Sequence, residues 1–385
     1  MQKNILITGG AGFIGSHLAD ELLERGHRVR VLDNFSPQVH GKEVHGDSRP
    51  TYLDERVEVI EGDVRDAQAV DRAVDGVDVV YHLAAAVGVG QSMYEVEQYT
   101  SVNNVGTAVL LEGLIERSKT AQPVERLIVA SSMSLYGEGL YRTPDDRVIQ
   151  DAKRSAAQLE QGQWELEVDG EVLEPVPTPE SKQAELASVY ALSKFDQERL
   201  CLMIGEAYDI DTVALRFFNV YGPRQALSNP YTGVLAIFGS RYLNDKPPLI
   251  FEDGLQRRDF VHVSDVARAC SLAMNRDQAV GEVFNVGSGQ SFTVGDIADQ
   301  MGRAMGKDDI EPVVAGEYRV GDIRHCFADI SRARQKLGYE PEVSFEQGLD
   351  ELAAWMKRQS AEDRVDGAYR ELTSRGLTVG RQSAE

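Results

Sequence analysis

A chain of 385 residues, 42% of them hydrophobic, can bury the core of one large domain or of two interlocked lobes. Its formal net charge of −22, with no basic stretch to track phosphates, excludes nucleic acid and anionic membranes as partners. An anionic small substrate stays open if a few placed arginines meet its charge. Only 10 of the 40 basic residues are Lys, and an acidic, Lys-poor surface suits a saline cytoplasm. Cys201, Cys270 and Cys326 are far apart, with no C-x-x-C or His/Cys ligand spacing. They read as buried packing in a reducing compartment, and no metal site is expected. No signal peptide precedes the first strand. The longest apolar stretch, near 77–89, contains Asp78 and His82 and is too short to span a bilayer. A soluble, cytoplasmic protein is expected.

In chain order, an apolar run over 4–8 reads as a buried strand, followed by a glycine-rich turn and a helix over 13–25. Glycines at 9, 12 and 15 match a dinucleotide fingerprint: Gly9 for the turn, Gly12 for close approach of a pyrophosphate, Gly15 for helix-on-sheet packing. The helix N-terminus would face the phosphates with free N–H groups. The next strand, 27–32, ends on Asp33, 18 residues past Gly15. That carboxylate would accept from a ribose diol and repel a 2′-phosphate, which favours NAD over NADP.

Strand-like runs at 57–60, 77–83 and 126–131 alternate with helical patterns at 67–74 and 95–118. Repeated βα units predict an α/β fold with a parallel sheet covered by helices on both faces. Ligands of such sheets bind beyond the carboxyl ends of the strands, so the residues following each strand matter most. Asp63 follows the third strand and reads equally as an acceptor for the adenine amino group or as a helix N-cap. Leu83, Ala84 and Ala85 follow the fourth, and are small enough after Leu83 to let a cofactor pass. Ser131, Ser132 and Ser134 follow the fifth, where hydroxyls either turn the chain or face a substrate.

The polar segment 138–187 breaks the pattern. It predicts a small hairpin turning at Asp169-Gly170 and an extended connection through Pro175, Pro177 and Pro179. It reads as an insertion over the active-site cleft, or equally as a surface excursion. Tyr190 and Lys194 follow in a helical pattern, four apart and therefore on one face. An ammonium beside a phenol stabilises phenolate, so this pair is suited to taking a proton from an alcohol near neutral pH.

Together Gly9, Gly12, Gly15, Asp33, Asp63, Ser132, Tyr190 and Lys194 resemble the extended short-chain dehydrogenases/reductases, in the branch of nucleotide-sugar epimerases and dehydratases. The match runs from the first strand to about Met356. The resemblance implies a Rossmann doubly wound parallel sheet with a smaller C-terminal substrate-binding lobe. It assigns 1–216 to the NAD-binding domain, with an insertion over about 141–187 and a return of the chain over 259–285. Residues 217–356 otherwise form the sugar-nucleotide lobe, and 357–385 a charged tail. It implies bound NAD, held by Gly9, Gly12, Phe13, Ile14, Gly15, Asp33, Asn34, Asp63, Val64, Leu83, Ala84, Ala85 and Asn103 together with Tyr190 and Lys194. Catalysis falls to Ser132, Tyr190 and Lys194. Substrate binding falls to Ser134, Asn219, Gly233, Val234, Arg258, Arg319 and Asp322, although a surface ion pair is the commonest fate of any single Arg. A homodimer through the helices near 95–118 and 189–208 is implied too.

Within that branch, 4,6-dehydratases carry Thr-Asp-Glu where this chain has Ser132-Met133-Ser134. Met133 and Ser134 cannot supply the acid and base of a dehydration, so 4-epimerisation of a dTDP- or UDP-hexose is expected. Segments 134–141 and 222–233 resemble the dTDP-L-rhamnose 4-epimerase group. Relatives there often carry a cysteine pair in the insertion; this chain has Glu167-Val168-Asp169-Gly170 instead.

Overall fold

The computed structural model describes residues 1–41, 49–231, 233–319, 321–359 and 363–379. The first apolar run forms β1 (Asn4–Thr8), followed by α1 (Phe13–Glu24), β2 (Arg28–Asp33), β3 (Glu58–Glu61), α2 (Ala67–Val74) and β4 (Val79–His82). Next come α3 (Gly106–Ser118), β5 (Arg126–Ser132), α4 (Val189–Tyr208) and β6 (Asp211–Phe217). The second half adds α5 (Val234–Leu243), α6 (Val263–Met274), β7 (Val283–Val286), α7 (Val294–Met305), α8 (Phe345–Met356) and α9 (Val365–Ser374).

The seven strands form one sheet in the order β7-β6-β5-β4-β1-β2-β3, and every pairing is parallel. Each residue of β5 is buried, which suits a strand covered on both faces. One face packs Leu18, Leu22, Val266 and Cys270 from α1 and α6. The other packs Val70, Leu110, Leu114 and Cys201 from α2, α3 and α4. Strand order reverses between β1 and β4, and this switch point opens a crevice at the carboxyl edge. The register pairs Thr8 with His82. It thereby brings the turn at Gly9 against Ala84.

Two sequence expectations are modified. The region 95–118 is not one helix: a turn at Val96–Tyr99 passes into a π-helical stretch, Thr100–Val105, before α3 begins. Within that stretch Asn103 spends its side chain on Ala86 and Ser193, and the Thr107 hydroxyl donates to the Asn103 carbonyl at 2.5 Å. Side chains competing for backbone groups widen the ladder. The proline-bearing connection is also more regular than a plain extended link, since Glu174–Val176 pairs antiparallel with Leu140–Arg142. The hairpin turns at Asp169-Gly170, both at positive φ (55° and 83°), as a two-residue turn requires.

The insertion is fastened to the second half by buried charge. Arg324, with no exposed surface, donates to Glu165, to Glu252 at 2.9 Å and to Asp253 at 2.6 Å. Arg154 bonds Glu252 at 2.7 Å and the carbonyl of Asp322 at 3.0 Å. Glu138 accepts from the N–H groups of Arg324 and His325. The insertion therefore lies along the segment that carries Asp322.

The smaller lobe packs α5, α7 and α8 around Phe238, Met301 and Leu352. The described part of the tail, 363–379, packs on both lobes. Arg241 holds Asp363 (3.1 Å) and Asp366 (2.5 Å) at the start of α9. Leu372 sits against Gly90, and the guanidinium of Arg375 lies 4.2 Å from the centre of the Tyr94 ring. Thr378–Val379 then pairs antiparallel with Tyr318–Arg319. Among the described residues no helix is long and apolar enough to cross a membrane.

Candidate active site

The glycine loop is shaped by contact. Gly9 has φ 68°, and a Cβ there would lie 2.9 Å from the backbone of Ala84. A Cβ on Gly15 would meet the Gly9 carbonyl at 2.4 Å and Gly10 Cα at 2.6 Å, so α1 can lie this close to the loop only without a side chain. Gly12 is the N-cap of α1, with no side-chain cap and no acid in the first turn. The free N–H groups around Phe13 and Ile14 thus face the crevice uncompensated, as a diphosphate requires. Asp33, 7% exposed, accepts from the N–H of Ala11 (3.0 Å) and of Phe35 (3.0 Å), which fixes its carboxylate beside the loop. These features fit an NAD dinucleotide.

The remaining cofactor candidates divide. The N-cap of α2 is Asp66, not Asp63. Asp63 instead pairs with Arg65 (2.8 Å) and accepts from Asn34 (3.1 Å), and the Arg65 hydrogen bond, opposed by burial, holds its carboxyl down at about 2. Val64 buries its side chain in the core and leaves only backbone for a ligand. Leu83 and Ala84 donate their N–H groups to Thr8, and Ala85 is half-buried in the loop that follows. Asn103 has no exposed surface. Its amide spans Ala86 (2.7 and 3.1 Å) and Ser193 (2.8 Å), and so ties the loop after β4 to α4.

Helix α4 begins at its N-cap Ser188, whose hydroxyl accepts from Ala191 N–H. Tyr190 therefore sits in the first turn, with its N–H on Ser92 Oγ at 3.0 Å and its ring edge-on to Tyr99. Ser132 ends β5 and caps the short turn after it; its Oγ accepts from Ser134 N–H (3.2 Å) and Ser134 Oγ (2.9 Å). Burial raises the pKa of Tyr190, and a hydrogen bond with Ser132 opposes that rise. The geometry brings Ser132, Ser134 and Tyr190 together. Lys194 departs from the expected pairing with the phenol: its Nζ bonds Gln197 Oε1 at 2.7 Å. Burial lowers the Lys194 pKa to about 8, with Cys201 and Glu198 opposing.

The other substrate candidates have partners within the second half of the chain. Arg258 donates to the carbonyls of Arg257, Arg324 and Ile323. Arg319 bonds Asp322 at 2.9 Å and lies 4.6 Å over the Phe251 ring. Asn219 donates its amide to the Asp259 carbonyl at 2.8 Å. Gly233 is the N-cap of α5 and Val234 its first residue, again with no side-chain cap. Among the described residues no group of three His, Cys, Asp or Glu is placed to hold a metal ion.

Sequence reasoning missed a buried set behind Lys194. It also missed the bidentate pair of Arg216 with Glu198 (2.7 and 2.9 Å), whose carboxylate accepts from Ser131 at 2.6 Å and so locks α4 to the ends of β5 and β6. The available clue was polar residues at i+3 and i+4 from Lys194, on a face that must be buried.

Comparison with known proteins places the chain in a family. Residues 6–146 match the family described as GDP-mannose 4,6 dehydratase, and residues 168–287 the NAD dependent epimerase/dehydratase family. A dTDP-L-rhamnose 4-epimerase of Burkholderia thailandensis is 37% identical over 93% of this chain and 96% of its own length. A UDP-glucose 4-epimerase of Thermotoga maritima, solved with UDP-glucose, superposes with a TM-score of 0.73 at 32% identity, covering 92% of this chain and 99% of that one. The Thermus thermophilus UDP-glucose 4-epimerase in complex with NAD gives 0.70 at 28% identity, covering 93% and 100%. The chain belongs to the NAD-dependent epimerase/dehydratase family, within the extended short-chain dehydrogenases/reductases. It is an enzyme of the NAD-dependent nucleotide-sugar epimerase class.

Proposed function

We propose that this enzyme inverts C4 of a nucleotide-linked hexose through a transient 4-keto sugar, with the dTDP-L-rhamnose/dTDP-6-deoxy-L-talose pair as its substrates. The observation that carries the reading is Tyr190 and Lys194 one turn apart on α4, with the linked hydroxyls of Ser132 and Ser134 at the carboxyl end of β5. NAD, when bound, supplies a reversible hydride acceptor at this edge. Tyr190 Oη takes the proton of the C4 hydroxyl and later returns it. Ser132 Oγ, oriented by Ser134, hydrogen-bonds the reacting oxygen. Lys194 as an ammonium steadies the phenolate once it turns from Gln197. Arg258 and Arg319 hold the diphosphate while the sugar turns over, and Asp322 takes the nucleoside ribose.

The rhamnose assignment rests on the relative at 37% identity and on the segments around Tyr136 and Pro230. A UDP-hexose or UDP-uronate 4-epimerase is the second reading, favoured by the UDP-glucose complex among the similar structures. We also place the enzyme in the cytoplasm as a homodimer. Val105 and Met203 (50% exposed each) and Leu192 (46%) form an apolar face on the helices named for pairing. Product NMR across dTDP- and UDP-hexoses tests the function. A C4-inverted product with no net NADH is the expected result; steady NADH accumulation would establish a dehydrogenase instead. Tyr190→Phe should abolish turnover while NAD stays bound.

A further inference from the structure

Gln197 has no exposed surface, and its amide is fully committed. Its Nε2 donates to Thr107 Oγ1 at 2.8 Å. The Thr107 hydroxyl gives its own proton to the Asn103 carbonyl, so its oxygen can only accept from the other neighbours. His82 Nε2 lies 3.1 Å from Gln197 Nε2 and accepts its second proton, so in the neutral ring His82 Nδ1 donates to Thr8 Oγ1 at 2.8 Å. Burial lowers the His82 pKa to about 3, with Lys194 adding to the effect, so the ring is neutral. With its nitrogen end fixed in this way, Gln197 can aim only its oxygen at Lys194. A flipped amide would set NH₂ against the ammonium and leave Thr107 facing a carbonyl. Lys194 is itself 3% exposed, and Gln197 Oε1 at 2.7 Å is its neutral acceptor there. The other ionisable groups facing it are neutral His82 from β4 and, on its own helix, Tyr190, Cys201 and Glu198, the last already paired with Arg216.

We propose that Gln197 is a positioning residue that keeps Lys194 an ammonium in this dry berth and sets the distance it must travel to reach Tyr190. Through Thr107, His82 and Thr8 the berth is built on the same strand ends that carry the dinucleotide loop. The role deepens the epimerase reading and rests on it only for the meaning of turnover.

Ten lysines make a ¹³Cε/¹⁵Nζ-lysine NMR spectrum of the NAD-bound enzyme tractable, with Lys194→Met for assignment. Gln197→Met keeps the volume and removes the acceptor. The Lys194 titration should fall by about 1–2 pH units, the size of one charge-assisted hydrogen bond. The alkaline limb of the kcat profile should fall with it. Gln197→Glu should move both upward and lower kcat, because a carboxylate holds the ammonium too well. Unmoved Lys194 titrations in folded variants would overturn the proposal. If Gln197→Met does not fold, the Gln197→Glu titration decides alone, by rising or staying put. If no nucleotide sugar turns over, the function is misread, and the NMR arm still judges Gln197.

Discussion

Replacing Arg324 by Met removes a guanidinium that faces three carboxylates. Breaking a buried pair by deleting one partner costs about 3–5 kcal/mol. Two features place this case near the lower end. Glu252, 1% exposed, keeps Arg154 at 2.7 Å, and the side chains of Glu165 and Asp253 are 36% and 31% exposed, where water screens them. A loss of about 3 kcal/mol at pH 7 follows. The loss must also depend on pH. Burial pushes the Glu165 carboxyl up, but hydrogen bonds from His325 and Arg324 outweigh it and hold it down at about 2. A carboxyl below its unfolded value contributes stability above roughly pH 4.3 and loses it as pH falls towards 2. Arg324→Met removes part of that contribution, so the gap between the two proteins should narrow from pH 7 to about pH 3.5. Urea titration followed by the fluorescence of Trp164, buried beside Tyr318, reads the affected region directly. A gap under about 1 kcal/mol at pH 7, or one that does not change with pH, would refute the reasoning.

Gly15→Ala should strip NAD from the purified protein and lower its melting temperature, since the added carbon meets backbone at 2.4 Å and 2.6 Å; full cofactor content, measured by absorbance after acid release, would contradict the packing argument. Arg258→Ala should weaken nucleotide-sugar binding about 10-fold or more by calorimetry and leave NAD content unchanged; equal losses of both would remove Arg258 from the diphosphate. Raising salt from low to molar should increase refolding yield as like charges are screened, and a falling yield would detach the −22 charge from a saline setting.

Five of the seven strands were legible because they are apolar or alternating runs that end near Gly, Asp, Ala or Ser; β6 runs on into Phe218 without such a stop, and it and β7 were not read. Ser132, Tyr190 and Lys194 were legible as types and spacings. Which way Lys194 points was not, because its partner Gln197 is an ordinary helix residue until His82 of β4 and Thr107 of α3, both far away in sequence, are brought beside it. Asn103 shows the same limit: its position was readable, but its complete burial depends on Ala86 and Ser193, which the fold brings to it from outside its own helical stretch. The insertion read as a cover for the cleft or as a surface excursion, yet its Arg154 and Glu165 are matched by Glu252 and Arg324 of the second half. Pairings between distant charged residues leave no periodic trace.

The tail changes how the cleft between the lobes should be pictured. One wall is joined to the other by the covalent crossings of the chain and again by α9, anchored through Asp363 on Arg241 and meeting Gly90 and Tyr94 across the gap. Opening the two halves apart would therefore have to break these contacts of α9 as well.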